Sequence, residues 1–298
     1  MARRDGIGER REKPRSDRNN QRDTLAGPMA ALDLGTNNCR LLIAEPNGAD
    51  FRVIDSFSRV TKLGGGVAER HWLSDAAMDR TLAALHICAQ KIERHGVTDI
   101  KAVATDACRR AINSDDFVKR IYQETGLVIE TIDAEREAEL AFNGCSPLIT
   151  GVADMDAPAD RVLVFDIGGG STEIAWTRQT NWCGKNGLAV ARDLAIHSIP
   201  FGVLTLSEQF DIEAICRDGF EHSVALIDRA IAEFDHCDDI AKCVAANHVQ
   251  MVGTSGTVTT LAGIHKNLIR YVRQQIDGTH LDFADIERLS HEIAAMDP

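Results

Sequence analysis

The 298-residue sequence lacks several features, and each absence narrows what the chain can be. No apolar run approaches the roughly 20 residues that a bilayer-spanning helix needs. The N-terminus has no apolar signal-peptide core, so the expected compartment is the cytoplasm and no membrane partner is expected. Eight cysteines are present without a CxxC pair, which fits reduced thiols better than a disulfide framework. There is no basic excess either. Lys and Arg number 33 against 45 Asp and Glu, a net charge of −12. Phosphate-backbone binding needs a basic face, so nucleic acid is not expected as a ligand. The only basic stretch is residues 1–27, with seven Arg and one Lys against five acids. It is almost free of apolar residues and reads as a disordered tail.

What remains is an alternation of strands and helices. "MAALDLGTNNCRLLIAEP" reads as strand, tight turn, strand, and Asn47–Gly48 turns the chain into a third run, "FRVIDSFSRV". After the loop "LGGGVAERHWL", Ser74 is placed to cap a helix whose stripe is Met78, Leu82, Leu85, Ala89 and Ile92, ending at Gly96. "IKAVAT" and "LVIETI" read as strands, with a helix from about Ser114 to Thr125–Gly126 between them and the helix "AEREAELAFNG" after them. "ADMDAPAD" (residues 153–160) reads as a linker. Beyond it, "VLVFDIGGGSTEIAWT" repeats the opening plan, with Asp166 and Gly168 each 133 residues after Asp33 and Gly35. "LAIHSIPFG" and "QMVGTSGT" read as further strands, and helices are expected around Val203–Phe210, Ile212–Phe234 and Phe283–Met296. The chain therefore divides into a first domain at 28–152 and a second at 161–298. Both are α/β, and ligands in such sheets sit where loops leave strand ends.

Three loops suit an anion. A glycine turn exposes successive backbone N–H groups with no Cβ in the way, and such a nest holds phosphate oxygens. One loop has Gly35, Thr36, Asn37 and Asn38, and its repeat has Gly168, Gly169, Gly170 and Ser171. The third has Gly253, Ser255, Gly256 and Thr257 between a strand and a helix start, where the helix dipole also favours negative charge. Asp166 ends one strand, and Glu173 lies on the strand that returns past it. Carboxylates beside phosphates repel unless a cation lies between them, and Mg²⁺ suits one or two carboxylates plus waters and phosphate. On residues alone, Asp33 and Asp166 also fit acids that cap their own turns, and Glu173 fits an exposed strand position.

"ALDLGTNNCRLLI", "AVATDACRRA", "DAEREAELAFNG", "VFDIGGGSTEIAW", "FGVLTLSEQF" and "VGTSGTVTTLAG" occur in this order. In this the chain resembles the exopolyphosphatase/guanosine-pentaphosphate phosphatase family of the sugar kinase–chaperone–actin superfamily, from about Met29 to Pro298. The resemblance implies two duplicated ribonuclease-H-like (actin-like ATPase) domains facing a cleft. It implies Mg²⁺-dependent hydrolysis of a terminal phosphoryl group from inorganic polyphosphate or guanosine pentaphosphate, with guanosine tetraphosphate as a further ligand, and by analogy a homodimer. By motif, Asp166 and Glu173 hold the metal and the three loops cradle phosphate. Glu137 activates water, and Arg109 contacts phosphate. Without the resemblance, Glu137 is one of four acids at a charged helix start and reads as a solvated face, and Arg109 and Arg110 read as surface charges. Many members have "EEAR" where this chain has Arg136–Glu137–Ala138–Glu139, which alters the charge around Glu137. Members also continue past an equivalent of "MDP", which implies a second domain cut short at its C-terminus.

Two other functions compete with hydrolysis. One is a non-enzymatic alarmone or nucleotide sensor on the same fold, suggested by Glu139 and the C-terminus. The other is a kinase of the same superfamily, for which no second-substrate motif is present. His236, Cys237, Cys243 and His248 lie close together but match no zinc spacing. Cys39 and Cys145 adjoin site motifs without the surroundings of a nucleophilic thiol. His71 and Trp72 read as loop anchors.

Overall fold

The computed structural model describes residues 27–48, 50–149, 161–178, 193–210 and 217–295. The expected tail (apart from Gly27), the 153–160 linker and the end of the last helix at Met296 lie outside these residues.

The first sheet begins as an antiparallel meander of β1 (Met29–Leu34), β2 (Asn38–Asn47) and β3 (Asp50–Val60). The chain then runs through α1 (Val67–Arg70), α2 (Asp75–Arg94), β4 (Asp99–Ala104), α3 (Asp106–Arg110), α4 (Ser114–Thr125) and β5 (Glu130–Thr131). The order in this five-stranded sheet is β3-β2-β1-β4-β5, with β4 parallel to β1 and β5 parallel to β4. Local signals explain the helix ends. Ser74 Oγ accepts from Ala77 N–H, and α4 stops at Gly126, whose φ of 72° lies in the left-handed region that glycine tolerates. Asn113 does not cap α4. Its side-chain amide instead clamps the loop before α2, accepting from Leu73 N–H and donating to Leu73 O (2.8 and 2.9 Å). "LVIETI" contributes only two paired residues, while Leu127 and Ile129 drop into the core beside Phe117 and Ile121.

The second half contains α5 (Ala134–Cys145), a 3₁₀ turn (Ser146–Leu148), β6 (Arg161–Ile167), β7 (Thr172–Arg178) and β8 (Ala195–Ile199). These are followed by α6 (Val203–Gln209), α7 (Arg217–Ala232), α8 (Cys237–Ala245), β9 (Val249–Thr254), α9 (Ser255–His265), α10 (Arg273–Ile276) and α11 (Phe283–Ala294). Among the described residues this sheet has four strands, in the order β8-β7-β6-β9. Its pairings repeat those of the first sheet, β6–β7 antiparallel and β6–β9 parallel. Strand alternation sends Val162 and Val164 to one face and Leu163 to the other, so the sheet carries a core on each side.

Helix α5 departs from the expected division at 153–160. Phe142, Cys145 and Ile149 are buried with Val162, Val164, Ala175 and Val252 of the second sheet. The chain therefore crosses between lobes just before α5, which is capped by Asp133 through Arg136 N–H (2.7 Å). A carboxylate also ties the lobes together. Glu208 on α6 accepts from Gly66 N–H in the "LGGG" loop (3.0 and 3.1 Å). Among the described residues, no helix is long and apolar enough to cross a membrane.

Candidate active site

The two hairpin turns are built alike. Gly35 N–H donates to Asn38 O (2.9 Å), and Gly168 N–H donates to Ser171 O (3.0 Å). The second turn is braced from behind, because the first amides of α6 donate to the carbonyls of Gly168 (Val203, 3.0 Å) and Gly169 (Leu204, 2.8 Å). The turns meet across the lobes. A Cβ on Gly169 would lie 2.9 Å from Asn37 Cβ and 3.0 Å from its backbone nitrogen, a contact only glycine allows.

Between the turns is a cavity of about 60 Å³. The expected residues Gly35, Thr36, Asn37, Asn38, Glu137, Asp166, Gly168, Gly169, Gly170, Ser171 and Ser255 all line it. Arg109 and Glu173 lie one layer behind it. Arg109 Nη1 donates to Glu137 Oε2 (2.6 Å) and to Ile132 O (3.1 Å), and its Nη2 is 3.9 Å from Glu173 Oε1. Gly256 faces Arg40 across the lobes, with 3.7 Å between its Cβ position and Arg40 Nη2. Thr257 follows it in the first turn of α9, outside the cavity wall. Gly253 lies elsewhere: a Cβ there would come 2.6 Å from the Phe165 ring, so this glycine makes room for a half-buried aromatic. The Thr36 hydroxyl accepts from Ala107 N–H (3.2 Å), so it braces α3 from the cavity floor.

The carboxylates are crowded. Asp166 and Glu173 are direct cross-strand partners, as are Asp33 and Arg40 in the first lobe. Glu173 is 2% exposed, and its Oε1 accepts from Ser171 Oγ (2.6 Å) and Ser198 Oγ (3.1 Å). Burial, then the charge of Glu137, push its pKa up to about 7, against the pull of the Ser171 hydroxyl. Burial also raises Glu137, opposed chiefly by the Arg109 charge. It raises Asp166 against the Ser255 hydroxyl and Arg40. Asp33 keeps 45% of its side chain open, so its recess in the cleft, rather than full enclosure, raises it against Arg40 (3.9 Å).

These residues fit a divalent cation. Asp166 Oδ1 is buried without a hydrogen-bond partner, next to a second acid in direct register. An orphaned anionic oxygen is costly unless something neutralises it. Among the described residues, no three His, Cys, Asp or Glu side chains converge as a protein-only metal cage. A Mg²⁺ site needs only one or two carboxylates with waters and phosphate.

Four contributors were not singled out from sequence. Arg40 and Asp106 line the cavity, Thr105 lies at its wall, and Ser198 holds Glu173. For Arg40 a signal existed, because it stands 133 residues before Glu173, the spacing of the repeat. Ser255 has φ 75°, a strained value for a non-glycine residue, where its hydroxyl reaches Asp166. The altered residue Glu139 is paired on the surface with Arg136 (2.7 Å), so the exchange is neutralised away from the cavity. A larger cavity of about 540 Å³ lies behind β9 among Cys145, Met251, Val252, Ala262 and Ile276. It holds neither glycine turn and none of the paired acids.

The fold agrees with comparisons to known proteins. Residues 42–297 match the model of the Ppx/GppA phosphatase family. The chain is similar to the solved Aquifex aeolicus member of that family, at 27% identity and TM-score 0.66, covering 91% of this chain and 79% of that one. It is similar to a solved exopolyphosphatase-like protein at 28% identity and TM-score 0.76, covering 90% and 79%. It is also 27% identical over 286 residues to the bifunctional 3-dehydroquinate synthase/phosphatase of Fusobacterium nucleatum, covering 90% of this chain and spanning 40% of that relative's length. With two actin-like α/β lobes around paired glycine turns, the chain belongs to the Ppx/GppA phosphatase family.

Proposed function

We propose that the protein is a phosphoanhydride hydrolase that releases terminal phosphate from inorganic polyphosphate, guanosine pentaphosphate or both. The observation that carries this reading is the convergence of two repeat-related glycine turns and Glu137, held from behind by Arg109, on one small cavity. Phosphoryl transfer is mostly positioning and charge stabilisation, and this site is built from those parts. The bare amides of both turns and the Arg40 and Arg109 guanidiniums bind and orient the phosphate chain. Glu137, with Oε2 held by Arg109, keeps its other oxygen to orient a water molecule. The water oxygen attacks the terminal phosphorus, its proton passes to Glu137, and the bridging oxygen leaves with the shortened chain. Asp166 and Glu173 would hold Mg²⁺, which when bound offsets charge on the phosphates. The Arg109 charge and hydrogen bond oppose the burial that raises the Glu137 carboxyl.

Purified protein with Mg²⁺ and a panel of long polyphosphate, tripolyphosphate, guanosine pentaphosphate and ATP tests this reading. Release of phosphate from one or more of the first three is expected. Tight guanosine pentaphosphate binding with no phosphate release from any member would replace the enzyme by a sensor.

A further inference from the structure

The cavity wall contains two acids that the proposed reaction leaves unused, Asp33, which faces Arg40, and Asp106. Asp106 opens α3, and its side chain crosses from the first lobe onto the second-lobe turn. A Cβ on Gly170 would lie only 2.0 Å from Asp106 Oδ2, so the carboxylate rests directly against the backbone of a phosphate-binding turn. The same Gly170 position faces Thr36 Oγ1 at 2.8 Å. Arg109 Nη2 is 3.9 Å from Asp106 Oδ1, and Arg110 Nη1 is 3.9 Å from Oδ2. Both distances exceed hydrogen-bond reach, so charge holds the carboxylate there without directional bonds. An anionic group flanked by two guanidiniums and pressed on a glycine turn sits as a phosphoryl oxygen would.

We propose that Asp106 is a stand-in anion: in the free protein it fills the place between Arg109, Arg110 and the Gly170 turn that a phosphoryl group of the substrate takes over, so that its charge sets which polyanions can enter. The inference rests on the polyanion-binding reading above. Position supports it. A phosphoryl group that reaches the Gly170 turn between Arg109 and Arg110 has to displace the Asp106 carboxylate, which already lies against that turn. Carboxylate and phosphate oxygens compete for the same guanidinium donors. Ligands with several adjacent charges displace the resident carboxylate, and singly charged ones do not. The groups facing Asp106 are Arg109 and Arg110 on its own helix, Glu137 on α5 and Glu173 on β7 behind Arg109. Across the cavity are Arg40, Asp33 and Asp166. Burial raises the Asp106 carboxyl above the ordinary range against the pull of Arg110 and Arg109, which is what an easily neutralised placeholder requires.

Calorimetric binding of tripolyphosphate to the full chain, with a chelator present so that no turnover occurs, tests the proposal. Asp106→Asn removes the charge and keeps the shape, and Asp106→Ser is a second neutral variant should the first fail to fold. Removing one like charge is expected to tighten binding about tenfold. Asp106→Glu, which keeps the charge, is expected to bind no more tightly than wild type. The ratio of neutral-variant to wild-type affinity falls toward one as the pH drops and the wild-type carboxyl protonates. Neutral variants that bind tripolyphosphate equally or more weakly overturn the proposal. So does a fall in kcat at unchanged KM, which would make Asp106 a positioning residue for Arg109. If wild type hydrolyses no phosphoanhydride, the proposed activity fails, and the binding ratio still decides the role of Asp106.

Discussion

Across the first hairpin the residue facing Asp33 is Arg40, and across the second the residue facing Asp166 is Glu173. The backbone turn, the register and the parallel strand that follows are the same in both lobes. The chemistry at this one position is opposite. The first pair is self-neutralising and half open, with 3.9 Å between its charges. The second places two acids side by side, one of them 2% exposed, and must take positive charge from elsewhere. Arg109 of the first lobe supplies some of it, at 3.9 Å from Glu173. Duplication thus gives a cleft with matching walls, and divergence at one register position gives it one self-neutralised wall and one on which two acids face each other.

Removing the acid-on-acid pairing is expected to have the largest effect. Glu173→Gln is expected to lower Mg²⁺-dependent phosphate release on the order of 100-fold and to abolish Mg²⁺-induced thermal stabilisation. An unchanged Mg²⁺ titration would show that the second wall does not hold the ion. The turns are also unequal in where they press. Gly169→Ala drives a methyl into Asn37 of the other lobe and is expected to cost about 2 kcal/mol by denaturant melts. At Gly35 the nearest atom is Asn38 O at 3.3 Å, so Gly35→Ala is expected to cost under about 1 kcal/mol. Equal losses would mean that the lobes do not bear on each other at Gly169.

The same contrast sets a pH dependence. Glu173 rises to about 7 on folding, and an acid raised by folding destabilises the fold when ionised. That penalty is full above pH 7 and fades as the pH falls toward the ordinary glutamate range. Asp33, Asp106, Glu137 and Asp166 are raised too and act in the same direction. Metal-free protein is therefore expected to be more stable at pH 6 than at pH 8, by on the order of 1 kcal/mol from Glu173 alone. Glu173→Gln is expected to remove that share, and an equal slope in wild type and variant would refute the assignment. On the first wall, Arg40→Gln is expected to raise the KM for polyphosphate about tenfold, read from initial rates.

Much of this was legible in the sequence because the signals are local. The glycine turns, the Ser74 cap and the Gly126 stop each depend on neighbours within a few residues, and the repeat shows as one such local pattern met again 133 residues later. What could not be read depends on closure of one lobe on the other. The apolar stripe of α5 says that Phe142 and Cys145 are buried, but not on which sheet. Gly253 has the look of a loop glycine, and only the packing of Phe165 shows its other task. Asp106 is three residues from Arg109 in sequence, yet its contact with Gly170 exists only across the cleft. Glu137 stood out only by family resemblance. Its bond to Arg109 and its place on the cavity wall then distinguish it from Glu139, which is paired on the surface with Arg136.

The most direct measurement compares phosphate release by wild type and Glu137→Gln, with Mg²⁺ and the best substrate of the panel, alongside tripolyphosphate binding to both. A base that orients and deprotonates water is worth roughly 10²–10⁴ in rate, so the variant is expected to lose about that much turnover while binding the polyanion within about threefold of wild type. Equal release from both proteins would contradict the assignment of Glu137 and, with it, a cleft arranged around water attack at the terminal phosphorus.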